Sequence, residues 1–469
     1  VLFRSATDLA SIQGWLEHHT SAPAAEMAAG LASRIPALVA KETNLHKRLR
    51  LLDTLATTAE DLLPNLENEI GQAALPLAAS PRAAAAAADR LLKSLATGYD
   101  EMITTIESRR LAGGLNRLLQ AALLRAILAS QRRQALAYRI YAVPSAAAWQ
   151  QLHQWYQLAR SRGLAESEES REGVGTAYVR ALLLATADPC KHPRQDVPAL
   201  VDICKRVAPL ARIRDAASLS VEEHQGRALF LLQPNGASPT VPLSRGIACP
   251  ADGLVMDAGG AVRRLQQELA QGKADPQAKE LITLWNGPAG RRFTRARFNP
   301  RADLVTGVPA VAGYLHGAFA RRKGDLRQAQ APAASEWYIV NQSPDGFGLR
   351  HTQGETGNLD VGDLVGLRPR ERSRVHICLI RRVSNTGPGR FELGLQELSP
   401  LALPIPLEGG DGILLPRLPG FGNGAGLAAP GGLLKTGSEV TWSRNGRSFR
   451  HLLARRIHAN RHIDLFLLA

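Results

Sequence analysis

Residues 337–352 read Trp-Tyr-Ile-Val-Asn-Gln-Ser-Pro-Asp-Gly-Phe-Gly-Leu-Arg-His-Thr, two β-rich runs, Trp337–Asn341 and Gly346–Thr352, joined by a polar turn. Asn, Ser, Pro, Asp and Gly each favour turns for backbone reasons, so Asn341-Gln342-Ser343-Pro344-Asp345-Gly346 taken alone is an ordinary β-turn. Its surroundings say more. Short β-rich runs recur on both sides, at Asp303–Val308, Leu364–Leu367, Val375–Val383 and Phe391–Leu398, with Gly and Pro between them. Regularly spaced short strands with such punctuation predict a small antiparallel barrel.

Arginines crowd the same part of the chain. Between Arg291 and Arg327, nine Arg or Lys face two Asp, a balance of +7 in 37 residues. A second group, Arg368, Arg370, Arg372, Arg374, Arg381, Arg382 and Arg390, is opposed only by Glu371. Charge alone is as consistent with a solvated basic face as with an anion site. The turn has the form Asn/Asp-x-Ser-x-x-Gly, and Arg-x-x-x-Arg occurs upstream at Arg291-Arg292-Phe293-Thr294-Arg295 and again from Arg297 to Arg301. With a last β-run reading Phe391-Glu392-Leu393-Gly394-Leu395-Gln396, the stretch Arg291–Pro400 resembles the PilZ family.

That resemblance implies a β-barrel that holds the bacterial second messenger cyclic di-GMP between the arginine element and the turn. By it, Arg291, Arg292, Arg295, Asn341, Ser343 and Gly346 are the expected ligand residues, with Arg297 and Arg301 as the second register. The doubled arginine favours the first. The chemistry is consistent. Guanine O6 and N7 match an arginine fork, the flat guanidinium stacks on a base, and two phosphodiesters suit bidentate donors. Ser343 offers a hydroxyl, Asn341 a carbonyl for guanine N–H groups, and Gly346 an approach free of a Cβ. The sequence departs from the family in its long gap before Asn341, where Ala320–Ala334 reads as an inserted loop carrying Arg321, Arg322, Lys323 and Arg327.

The rest of the chain reads differently. Asp8 to about Ala216 is rich in Ala, Leu, Arg and Gln, with apolar residues at three- and four-residue spacing. Leu115, Leu118, Leu119, Ala122, Leu123, Ile127 and Leu136 form one such stripe, so an antiparallel helical array is expected. Breaks are expected at Pro23, Pro36, Pro64, Pro76, Pro81 and Pro144. Gly175–Ala211 reads as two helices, resembling a tetratricopeptide-like pair; no repeat near 34 residues accompanies it, and a one-off bundle fits equally. Trp149, Trp155 and Tyr156 read as packing between helices. The expected fold class is multidomain α+β. A helical domain spans 1–216, and a connecting segment at 217–289 holds a hairpin around Pro234–Gly236 and a helix at Ala261–Gln271. The barrel occupies 290–402, and the tail at 403–469 has a loop-like Leu403–Gly432 and strands at Glu439–Ser443 and Ile463–Leu468. Val1–Ser5 is set aside from fold reasoning as an expected scar.

Cys190, Cys204, Cys249 and Cys378 are too dispersed for a metal knuckle or a disulfide scaffold, and no long uncharged apolar run is present. A cytoplasmic protein is expected. Gly431–Thr436 lacks the glycine that a phosphate-binding loop places before its lysine, Gly424–Ala429 has no βαβ unit around it and reads as a flexible loop, and His458 and His462 have metal spacing only on a helix. No nucleophile–base set or paired carboxylates can be assembled, so no enzyme, metal or cofactor is expected. The expected function is a cyclic di-GMP effector that relays binding to a protein partner, which the family resemblance places in motility, pilus or surface-attachment machinery. The alternative is a helical scaffold with a structural barrel, whose charge of +15 meets acidic proteins or nucleic acid. With aromatic residues only 5% of the chain and not interleaved with the arginines, a stacking platform for single strands is disfavoured.

Overall fold

The structure, a computed structural model, describes residues 14, 22–109, 114–166, 172–219, 228–233, 239–243, 250, 252–286, 300–322, 333–387, 389–444 and 446–469. The chain divides into two compact units. The first comprises Val1–Ala73, Leu77–Pro189 and Gln195–Gly290; the second comprises Ala74–Pro76, Cys190–Arg194 and Arg291–Ala469.

The first unit is built on α1 (Ala24–Lys41), α2 (Leu45–Gln72), α3 (Ala79–Ser108), α4 (Asn116–Tyr138), α5 (Ala146–Ser161), α6 (Val174–Thr186) and α7 (Val197–Val207). The sequence sets the start of α2 locally, where the Asn44 side chain accepts the backbone N–H groups of His46 and Lys47 at 3.0 and 3.1 Å. Small residues let α3 lie close to its neighbours. A Cβ at Gly98 would stand 2.7 Å from Leu52 Cδ2 on α2, and Ala84, Ala85, Ala87 and Ala88 are buried. Two expected breaks are overturned, because Pro36 lies inside α1 and Pro64 inside α2. An interior proline costs about 3 kcal/mol. The apolar stripes flanking them, Ile35 and Val39 in α1, Leu63 and Leu66 in α2, are fully buried, and each such side chain contributes roughly 1.5–3 kcal/mol. Pro81 sits in the first turn of α3, where its missing N–H has no helical partner to lose. Trp149, Trp155 and Tyr156 are buried as expected, with Tyr156 stacked on Tyr178 at 4.2 Å. His153 hydrogen-bonds the Tyr178 hydroxyl, and burial pushes its pKa down to about 4.

The same unit ends in a small antiparallel sheet of order β1-β4-β2-β3, with β1 Arg212–Asp215, β2 Leu229–Leu232, β3 Thr240–Pro242 and β4 Leu254–Asp257. Helices α8 (Gly259–Ala270) and α9 (Ala278–Trp285) follow. The expected pairing of β2 with β3 is present, while its turn Pro234–Gly236 lies outside the described residues. Arg212–Asp215, read as the end of the helical stretch, is a strand paired with β4.

In the second unit a closed antiparallel barrel has the order β10-β7-β6-β5-β8-β9. Its strands are β5 Arg301–Thr306, β6 Ser335–Ser343, β7 Gly346–Gln353, β8 Leu364–Pro369, β9 His376–Gly387 and β10 Arg390–Ser399. Between β5 and β6 stands α10 (Val308–Arg322), which the sequence reading did not anticipate. Gly307, at φ +85°, turns the chain out of β5, and Val311 N–H bonds its carbonyl. Val311, Tyr314 and Leu315 pack into one core with Leu364, Ile377 and Leu379 of the barrel and with Ile413, Ala428 and Leu465 of a second sheet.

That second sheet corrects the loop-like reading of Leu403–Gly432 and the flexible-loop reading of Gly424–Ala429. Its order is β11-β12-β13-β16-β15-β14, with β11 Leu403–Leu407, β12 Gly410–Leu415, β13 Gly426–Pro430, β14 Glu439–Arg444, β15 Arg447–Ala459 and β16 Ile463–Leu468. Pro404 and Pro406 fall on β11, which among the described residues pairs with β12 alone; an edge strand tolerates their missing donors. His458 and His462 are not on a helix. His458 donates to the Gly362 carbonyl at 2.8 Å, and His462 Nδ1 lies 2.9 Å from the Asp363 carboxylate. Cys190, Cys204 and Cys378 are buried, and Cys249 lies outside the described residues.

Candidate ligand-binding site

The turn Asn341–Gly346 is the hairpin between β6 and β7, with Ser343 paired to Gly346 across it. Ser343 Oγ reaches the Gly346 carbonyl only at 3.4 Å, too long for a firm O–H bond, so its hydroxyl remains available to another acceptor. Gly346 is demanded by space: a Cβ there would stand 1.9 Å from the Leu395 carbonyl oxygen on β10. The tip is tied to the same strand by the Glu397 N–H, which donates to the Asp345 carbonyl at 2.9 Å.

Side chains alternate along a strand, and this decides what the barrel presents outward. Phe347 and Leu349 on β7, and Leu393 and Leu395 on β10, are buried. The intervening Gly348 and Gly394 therefore lie on the outer wall. Register aligns Asn341 with Gly348, Gly348 with Gly394, and Gly394 with Arg382 on β9, one row across four strands. Gly348 is buried beneath the Asn341 side chain, and Gly394 is half-buried. A Cβ at Gly348 would come within 2.7 Å of both Asn341 amide atoms, and one at Gly394 within 3.2 Å of Arg382 Cβ. On one side of the row Gly346 pairs with Gln396, whose Oε1 accepts from Arg381 Nε at 2.7 Å. On the other, Arg350 and Glu392 form an exposed ion pair at 3.0 Å. An amide seated against the wall, next to a strand position without a Cβ and in register with an arginine, suits a flat polar ring.

Of the expected ligand residues, Asn341, Ser343 and Gly346 come together on this wall. Arg291, Arg292, Arg295 and Arg297 lie outside the described residues. Arg301, the first residue of β5, is beside Tyr338 in register and engages Glu336 at 3.2 Å. The second arginine group is divided by the fold. Arg368 and Arg370 hold Asp303 at 2.5 and 3.0 Å, and Arg370 also holds Glu336 at 2.7 Å. Burial would raise the Asp303 carboxyl, but hydrogen bonds and charge from the two guanidiniums outweigh it and keep the pKa below its ordinary value. These two arginines hold carboxylates of the barrel, whereas Arg382 on β9 is in register with Gly394. That Gly348, Gly394 and Arg382 share one row with Asn341 was not read from the sequence; the period-two alternation of Phe347/Leu349 and Leu393/Leu395 is the signal that places the two glycines on the outer face. Among the described residues no group of three His, Cys, Asp or Glu could hold a metal ion, and no helix is long and apolar enough to cross a membrane.

The closed barrel with an Asn-x-Ser-x-x-Gly hairpin on its wall is a PilZ domain, carried behind a long helical region. Residues 317–404 match the family model described as the middle PilZ domain of the cyclic-di-GMP receptor FimW, and residues 10–218 match its N-terminal domain. The chain is similar to the cyclic-di-GMP receptor FimW of Pseudomonas aeruginosa, strain PAO1, at 24% identity over 542 aligned residues covering 95% of this chain and 88% of the relative.

Proposed function

We propose that this chain is a cyclic di-GMP effector whose barrel captures the dinucleotide on the wall formed by β6, β7, β10 and β9, and that binding is relayed to a protein partner. The observation that carries the reading is the row Asn341–Gly348–Gly394–Arg382 beside Ser343 and Gly346. In this reading a guanine lies flat over Gly394 beside Asn341, which accepts from its N–H edge, and Arg382 and Ser343 meet phosphodiester oxygens. Arg291, Arg292 and Arg295, from the segment entering the barrel, supply the remaining forks, with Arg297 and Arg301 as the second register. Relay requires the ligand to favour one arrangement of that entering segment over another, since equal affinity shifts nothing.

The test is calorimetric titration of the full chain with cyclic di-GMP. Wild-type protein is expected to give saturable heat, and Arg291→Ala combined with Arg295→Ala to lose at least about 1.4 kcal/mol of binding, a tenfold weakening. Absence of heat in the wild type sinks the reading, whereas unchanged heat in the double variant with loss in Arg297→Ala would shift the arginine register alone.

A further inference from the structure

The first unit contains a cleft of about 560 Å³ lined by Leu210, Arg212, Asp257, Gly260, Arg263 and Arg264. Its volume falls in the range of small-molecule sites. Three arginines line it, and the acids around them are already engaged. Glu268 takes Arg264 at 2.8 Å and Arg206 at 3.0 Å, and Asp275 takes Arg206 at 2.7 Å. Asp257 caps the Gly259 N–H at 2.8 Å and lies 3.9 Å from Arg214. Arg212 and Arg263, by contrast, make no hydrogen bond or ion pair among the described residues. They reach the cleft from different elements, Arg212 from β1 and Arg263 from α8. Leu210 adds an apolar shelf that is 45% exposed. It meets α8 with no side chain between, for a Cβ at Gly260 would stand 2.1 Å from the Leu210 carbonyl oxygen.

We propose that this cleft is a second anion site, separate from the barrel, that takes a small phosphoryl-bearing molecule. Two uncommitted guanidinium forks on facing elements match phosphoryl oxygens in bidentate geometry, and a phosphate ester gains further contact from the Leu210 shelf. The full chain is titrated with inorganic pyrophosphate in about 50 mM salt, where screening is weak. A parallel titration with adenosine 5′-monophosphate separates an ester, which binds more tightly through the shelf, from the free anion. Saturable binding is expected, reduced at least about tenfold by Arg212→Gln with Arg263→Gln. Leu210→Glu, which sets a carboxylate on the exposed shelf, gives the same loss if the double variant folds poorly. Arg447→Gln with Arg455→Gln, two exposed arginines of β15, leaves the affinity within about twofold. No saturable heat from either probe overturns the site, as does an equal loss in the β15 pair or wild-type binding in both cleft variants. Cyclic di-GMP titration of the same variants reads the barrel independently.

Discussion

Among the described residues, the second unit holds two antiparallel sheets of six strands each that use glycine to opposite ends. In the closed barrel, Gly348 and Gly394 lie on the outer wall, and the space they leave is occupied by Asn341 and bordered by Arg382. In the C-terminal sheet, the space goes to leucines: a Cβ at Gly412 would meet Leu407 Cδ1 at 2.6 Å, and one at Gly426 would meet Leu418 Cδ1 at 2.3 Å. The first use seats a polar amide against the barrel wall and the second fills a core with leucine. A missing Cβ therefore makes room for whichever side chain its neighbouring strand places there.

Substitutions can break or sharpen that contrast. The largest effect is expected from Gly346→Ala, where the obstacle is the Leu395 carbonyl 1.9 Å away and backbone must move. A loss of about 3 kcal/mol or more in unfolding free energy, together with loss of cyclic di-GMP heat, is the expected outcome. Gly426→Ala meets mainly a leucine methyl that can rotate, so about 1–2 kcal/mol should be lost in thermal unfolding with dinucleotide affinity unchanged. A fall in affinity there would mean that the two sheets do not separate surface from core as described.

Asp303→Asn should cost about 1–2 kcal/mol, because Arg368 and Arg370 lose a shared carboxylate. It should also change the acid limb of stability. The folded pKa of Asp303 lies below its ordinary value, so its contribution is fully present above about pH 4 and disappears as pH falls through the folded value. Unfolding midpoints measured from pH 2 to 6 should therefore flatten in the variant, and an unchanged slope would remove Asp303 from the barrel closure. The smallest stability effect is expected from Gly394→Ala, whose Cβ would meet that of Arg382 at 3.2 Å: under about 1 kcal/mol. Cyclic di-GMP affinity should nevertheless fall about tenfold, since a methyl then stands where the base is proposed to lie. Equal affinity would place the base elsewhere on the wall.

Legibility followed the same division. The barrel strands could be read because alternating apolar residues and turn clusters mark them, and the hairpin carrying Asn341, Ser343 and Gly346 could be read because a tight turn keeps its residues close in sequence. The helix α10 was hidden by Pro309, Gly313 and Gly317, which lower helix propensity; burial of Val311, Tyr314 and Leu315 overrides it. Strands β11 to β13 were hidden by proline and glycine that an edge position and close leucine contacts make tolerable. Pro36 and Pro64 misled in the other direction, since buried stripes carry their helices through.

By itself the sequence determined the helical and β-rich halves, the basic charge and the hairpin motif, all of which rest on local propensity, periodicity and turn chemistry. The tertiary structure alone decided that Asn341, Gly348, Gly394 and Arg382 share one row, and which arginines of one sequence cluster are spent on Asp303 and Glu336. The physical reason is register. Hydrogen bonds between strands far apart in sequence set it, and a shift of one residue would turn every outward group into the core.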